Sequence, residues 1–103
     1  MYKICCYVPV DYAEPVKNAL FKAGAGKIGN YSYCAFQVLG AGQFLPEAGS
    51  HPTIGQKNQL EIIQEYKIEL VCDKKYITNA IHALRKAHPY EEPAYQVIRI
   101  ENF

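Results

Sequence analysis

The sequence predicts an α+β domain with the element order β-α-β-β-α-β, and three observations predict it. Apolar residues alternate with period two through Tyr2–Val8 and again through Leu60–Cys72, the mark of strands with one buried face. Apolar stripes at helical spacing occupy Val16–Ala23 and Ile77–Ala87. Proline or glycine stands at the joints that follow the first strand and each helix, and Asp73 marks the one between Leu60–Cys72 and Ile77–Ala87. That order is the ferredoxin-like split βαβ arrangement, a four-stranded antiparallel sheet with two helices on one face. The 103 residues suffice for a single domain over 1–103.

In the first strand Tyr2, Ile4, Cys6 and Val8 share one face and Lys3, Cys5 and Tyr7 the other, and Pro9 ends it. Asp11 and Glu14 have capping-box spacing, and Pro15 suits a first helical turn. Val16, Ala19, Leu20 and Ala23 then form the apolar stripe of the first helix, closed by Gly24. After a glycine-rich turn, Tyr31–Leu39 predicts the second strand, with Cys34, Phe36 and Val38 toward the core and Tyr31, Tyr33 and Ala35 away from it. Gly40–Gln59 predicts a long irregular loop. The third strand, Leu60–Cys72, has apolar even positions and mostly Glu or Lys at odd ones. Asp73 caps the second helix, whose stripe is Ile77, Ala80, Ile81, Leu84 and Ala87. Pro89 stops that helix, and Ala94–Ile100 is the fourth strand.

Both helices cover the same side of such a sheet, so its other side is bare within one chain. The residues expected there include Cys5, Tyr7, Tyr31, Tyr33, Tyr95 and Val97, too apolar to face water. A neighbouring subunit is the simplest cover, and a homo-oligomer is expected.

Composition narrows the function. Half the residues are hydrophobic and 20% are charged, with a formal net charge of +1. No field of one sign is available to recruit nucleic acid or an anionic membrane. No apolar run approaches the roughly 20 residues of a membrane span, and Met1–Val8 reads as a strand and not as a leader. Cys5, Cys6, Cys34 and Cys72 form no CxxC motif and are expected to be reduced thiols in a cytoplasmic protein.

Gly24-Ala25-Gly26-Lys27 looks like the end of a phosphate loop, but Phe21 stands where the first glycine belongs and Ile28 where Ser or Thr would bind magnesium. A helix C-cap and turn explains it. Gly40-Ala41-Gly42 lacks the third glycine and the following helix of a dinucleotide site. His82 lies opposite the apolar stripe of its helix and is expected to be solvated. No Ser-His-Asp order or carboxylate pair can be argued, so no catalytic residue is assigned.

The sharpest local feature is His88-Pro89-Tyr90-Glu91-Glu92-Pro93, where two prolines rigidify a corner bearing an imidazole, a phenol and two carboxylates. One reading is a helix-stop turn whose His caps the helix carbonyls. The other is a ligand corner built from His88, Tyr90 and Glu91, with Phe44 contributed by the long loop. As a divalent-metal site the set would be His88 with Glu92 or Glu91, joined by His51 from a neighbouring subunit; a metal ion is the one cofactor these residues suggest.

The glycine-rich turn to Tyr31, then Cys34, Phe36, Gly40, Gly42, Phe44, Pro46, Gly49, Pro52 and Gly55, then His88 through Tyr95 together resemble the Nif-three-like (YqfO) family. Within it they resemble the small CutA-like, PII-like domain inserted in longer members, here as a stand-alone chain. The resemblance implies a homotrimeric binding or regulatory module with a small-molecule or metal site in a cleft between subunits. The long members' two-metal segments have no counterpart in this sequence, so no catalysis is expected. Two alternatives are a divalent-metal-tolerance protein and a small-substrate enzyme at the same cleft.

Overall fold

The computed structural model describes residues 1–103. Four strands, β1 (Tyr2–Pro9), β2 (Phe36–Phe44), β3 (Glu61–Cys72) and β4 (Tyr95–Arg99), form one antiparallel sheet in the order β2-β3-β1-β4. Two helices, α1 (Ala13–Lys22) and α2 (Ile77–Ala87), complete the α+β, ferredoxin-like fold. Each is entered through a short 3-10 turn, Val10–Tyr12 and Lys74–Tyr76. No helix is long and apolar enough to cross a membrane.

The core lies where the alternation put it. Ile4, Cys6 and Val8 of β1 and Ile68, Leu70 and Cys72 of β3 are buried under Val16 and Leu20 of α1 and Ala80 and Leu84 of α2. Burying each large aliphatic side chain contributes about 1.5–3 kcal/mol. Asp73 accepts from the Lys75 N–H at 3.1 Å, as a cap should. Asp11 makes no capping bond, and Glu14 pairs with Lys17 at 2.6 Å instead. All four cysteines are free.

The second strand lies five residues later than the alternation predicts, and on the opposite face. The 26–34 segment closes on itself. Ile28 and Tyr31 exchange both backbone hydrogen bonds at 2.9 Å, and Cys34 N–H donates to the Gly26 carbonyl. Tyr33 has φ +59°, and its ring meets Phe21 of α1 edge-on at 5.2 Å. Backbone bonded in that way cannot join a ladder. β2 instead runs through Gly40-Ala41-Gly42, held by nine residues paired in unbroken register with β3. Phe36 stands opposite Glu69 and Val38 opposite Lys67, so both lie on the open face; Phe36 is 65% exposed.

β4 is inverted too. Tyr95 stands opposite Cys6 and Val97 opposite Ile4, on the helix side, and Tyr95 packs against the core. The apolar residues of the open face are therefore Cys5, Tyr7, Phe36, Val38, Phe44, Ile63, Val71 and Ile98, around a central Glu69 paired with Lys3 at 2.9 Å and Lys67 at 3.7 Å. The molecule is elongated, 46 × 24 × 23 Å, and Ile62 near the start of β3 is 63% exposed.

Candidate functional site

Pro89 ends α2 as its chemistry requires, leaving His88 extended with φ −71° and ψ 137°. Its N–H donates to the Leu84 carbonyl at 2.9 Å. The His88 side chain is 5% exposed and spans two backbones. Nδ1 accepts from the Tyr90 N–H at 3.1 Å, which leaves Nε2 carrying the proton and donating to the Tyr7 carbonyl at 2.8 Å. Burial holds the imidazole below its usual range, against the opposing pull of the Tyr7 carbonyl and of Glu65. The ring ties the corner to β1; it does not reach back to the helix carbonyls.

That tie aims Tyr90. Its ring lies between His88 at 4.9 Å and Phe44 at 5.4 Å, and its hydroxyl donates to Glu65 Oε2 at 3.1 Å. Burial, reinforced by the Glu65 charge, pushes the phenol well above its ordinary range, so it remains a donor. Glu65 reaches Tyr90 across Gly42. A Cβ on Gly42 would collide with the Glu65 carboxylate.

The 45–60 loop after β2 folds back onto this corner. Thr53 Oγ1 donates to the Pro89 carbonyl at 2.7 Å, and the His51 N–H donates to Glu91 Oε1 at 3.2 Å. Asn58 N–H closes the loop on the Pro46 carbonyl at 2.6 Å, and Pro46 is buried. Corner and loop of the same chain thereby enclose an open cleft of about 550 Å³. Tyr7, Phe44, Tyr90, Ile54 and Pro46 supply apolar wall, and Glu47, Glu65, Glu91 and Glu92 supply carboxylates.

The residues singled out in the sequence are partly gathered here. Phe44, Tyr90, Glu91 and Glu92 line the cleft, and His88 stands behind Tyr90 with both ring nitrogens bonded to backbone. His51 contributes its backbone N–H, and its side chain is not among the lining groups. No three His, Cys, Asp or Glu side chains converge as metal ligands, so His51, His88 and Glu92 form no common cluster. Tyr7, Gly42 and Glu65 are site residues that the sequence does not mark as such; Tyr7 reads only as an open-face residue and Gly42 only as part of a glycine pattern. Glu65 is one of several charged odd positions along β3, and its partner is 25 positions away.

No protein-family model matches the chain. Over 102 residues, 99% of its length, it is 44% identical to a GTP cyclohydrolase 1 type 2 homolog of Halalkalibacterium halodurans, of which it covers 27%. It thus spans about a quarter of the curated relatives it matches. The solved structure of a Bacillus cereus protein related to NIF3 superposes with a TM-score of 0.83 at 42% identity, over 98% of this chain and 26% of that one. The periplasmic divalent cation tolerance protein CutA from Archaeoglobus fulgidus shares the fold, with a TM-score of 0.69 at 16% identity over 100% of this chain and 87% of that one.

Proposed function

The chain resembles the CutA-like, PII-like domain of Nif-three-like (YqfO) proteins, and on that premise we propose that it is a non-catalytic binding or regulatory module. It assembles as a homotrimer in the cytoplasm and takes a small ligand in the cleft beside Phe44, Tyr90 and Glu91, with His88 bracing that wall. The observation that carries this reading is the cleft itself: a proline-fixed corner and a loop about 40 positions away are stitched together to line one cavity. Its volume is in the range of small-molecule sites.

The exposed Phe36, Val38 and Ile98 side chains of the open face support assembly, since an apolar patch of this kind is costly to leave in water. No cysteine lines the cleft, so no thiol nucleophile stands beside the ligand. Cys5, Cys6 and Cys72 are buried, and burial pushes Cys6 up to about 12, far from a reactive thiolate. The activity in the relatives' name belongs to proteins about four times longer and is not transferred on the shared quarter alone.

The test combines light scattering with a thermal-shift screen of a chemically broad small-molecule panel. A trimer and at least one compound raising Tm are expected. A stable monomer of 11.6 kDa would sink the assembly. A panel with no stabilising compound would sink the binding module.

A further inference from the structure

The lining of the cleft specifies the charge of what it binds. Glu47, Glu65, Glu91 and Glu92 face it, and no Lys, Arg or His does. None of these carboxylates has a basic partner; the ion pairs of the chain involve Glu14 and Glu69. The chain as a whole carries a formal net charge of +1, so this is a local concentration of negative charge and not general acidity. Two of the carboxylates are held in place. The Tyr90 hydroxyl fixes Glu65 and the His51 N–H fixes Glu91, each leaving one oxygen uncommitted.

The apolar walls narrow the class further. Tyr7, Phe44 and Tyr90 bring three aromatic rings to the same cavity, and aromatic faces attract organic cations. A bare divalent ion wants converging oxygens and gains nothing from aromatic walls, and no such convergence exists. A polyphosphate wants basic side chains or a cradle of N–H groups, and the lining supplies acidic ones.

We propose that the cleft between the His88–Pro93 corner and the 45–60 loop binds an organic cation: an ammonium or amidinium group on an aromatic or branched apolar body. The ammonium lies between Glu65 and Glu91, and the apolar body lies against Phe44 and Tyr90. This rests on the reading of the cleft as the binding site and adds the chemistry of its ligand.

Titration of the 15N-labelled protein with phenethylamine hydrochloride tests it, with phenylacetate, GTP and magnesium chloride run in parallel. Phenethylamine is expected to shift the amide signals of His51, Thr53, Tyr90 and Glu91, and phenylacetate and GTP are not. Glu65→Gln, which keeps an acceptor for the Tyr90 hydroxyl, should weaken the amine about tenfold. Glu92→Gln, at an exposed position, should weaken it less and serves where Glu65→Gln perturbs the fold. Shifts of the same amides by phenylacetate, GTP or magnesium with none by the amine would overturn the charge assignment and leave the site standing. Silence at those amides with every probe overturns both.

Discussion

Glu65 accepts a hydrogen bond from the hydroxyl of Tyr90 at 3.1 Å with its carboxylate lying in the space that a side chain at position 42, on the neighbouring strand, would fill. Gly42→Ala should fold, since the obstructing atoms belong to a flexible side chain, but it should turn Glu65 away from Tyr90. Tyr90→Phe removes the same bond and should cost about 1 kcal/mol. The two changes should be non-additive: in the Tyr90→Phe background Gly42→Ala should cost distinctly less than alone. Urea melts of the four proteins measure this, and additive costs would show that the bond is absent in solution.

The His88 tie predicts a pH dependence. The ring is held below its ordinary 6.5 in the folded state, so below that value the unfolded chain binds the proton more readily. The stability it contributes is complete above about pH 6.5 and is lost as pH falls through the lowered folded value. Protonation puts a hydrogen on Nδ1, facing the Tyr90 N–H. The advantage of the wild type over His88→Gln should therefore shrink on acidification from pH 7, by at most about 1.4 kcal/mol per pH unit. Denaturant melts across pH 7.5 to 5 measure it; a pH-independent difference refutes it.

Gly24 has φ +107°, and a Cβ there would meet the Tyr76 ring at 2.6 Å. Gly24→Ala combines a backbone conformation hostile to L residues with a clash at the entry to α2. A loss of about 2 kcal/mol or more is expected in thermal or urea unfolding. A Tm unchanged within a degree would show that this turn relaxes freely.

Charge placed on the open face should act on assembly. Val38→Glu is expected to lower the mass seen by light scattering toward 11.6 kDa. Tyr33→Glu should not, because Tyr33 lies off the sheet against Phe21. A reversed outcome would move the contact surface to the helix side.

The fold class and the core were legible because period-two and helical patterns are strong at Ile4–Val8, Ile68–Cys72 and Ala80–Leu84. The second strand was not. Tyr31–Ala35 is rich in β-prone residues, yet its backbone bonds go to Ile28 and Gly26, while the weak formers Gly40 and Gly42 are kept in the sheet by β3. Face parity in β2 and β4 is a property of register with a partner strand, invisible where both parities carry apolar residues, as with Val97 and Ile98. The corner at His88–Pro93 was visible through its prolines. The role of its imidazole was not, since the Tyr7 carbonyl it binds is 81 positions away.

β1 and β4 are sheet neighbours, Tyr2 opposite Arg99, and the Ile100 N–H donates to the Met1 carbonyl at 3.1 Å. The two ends of this chain are therefore pinned side by side. A host polypeptide could leave its own fold at one point, run through these residues, and resume almost where it left off, with neither partner stretched. The same adjacency lets a short bridge of a few residues join Phe103 to Met1, so that new ends can be opened at an exposed turn without disturbing the sheet.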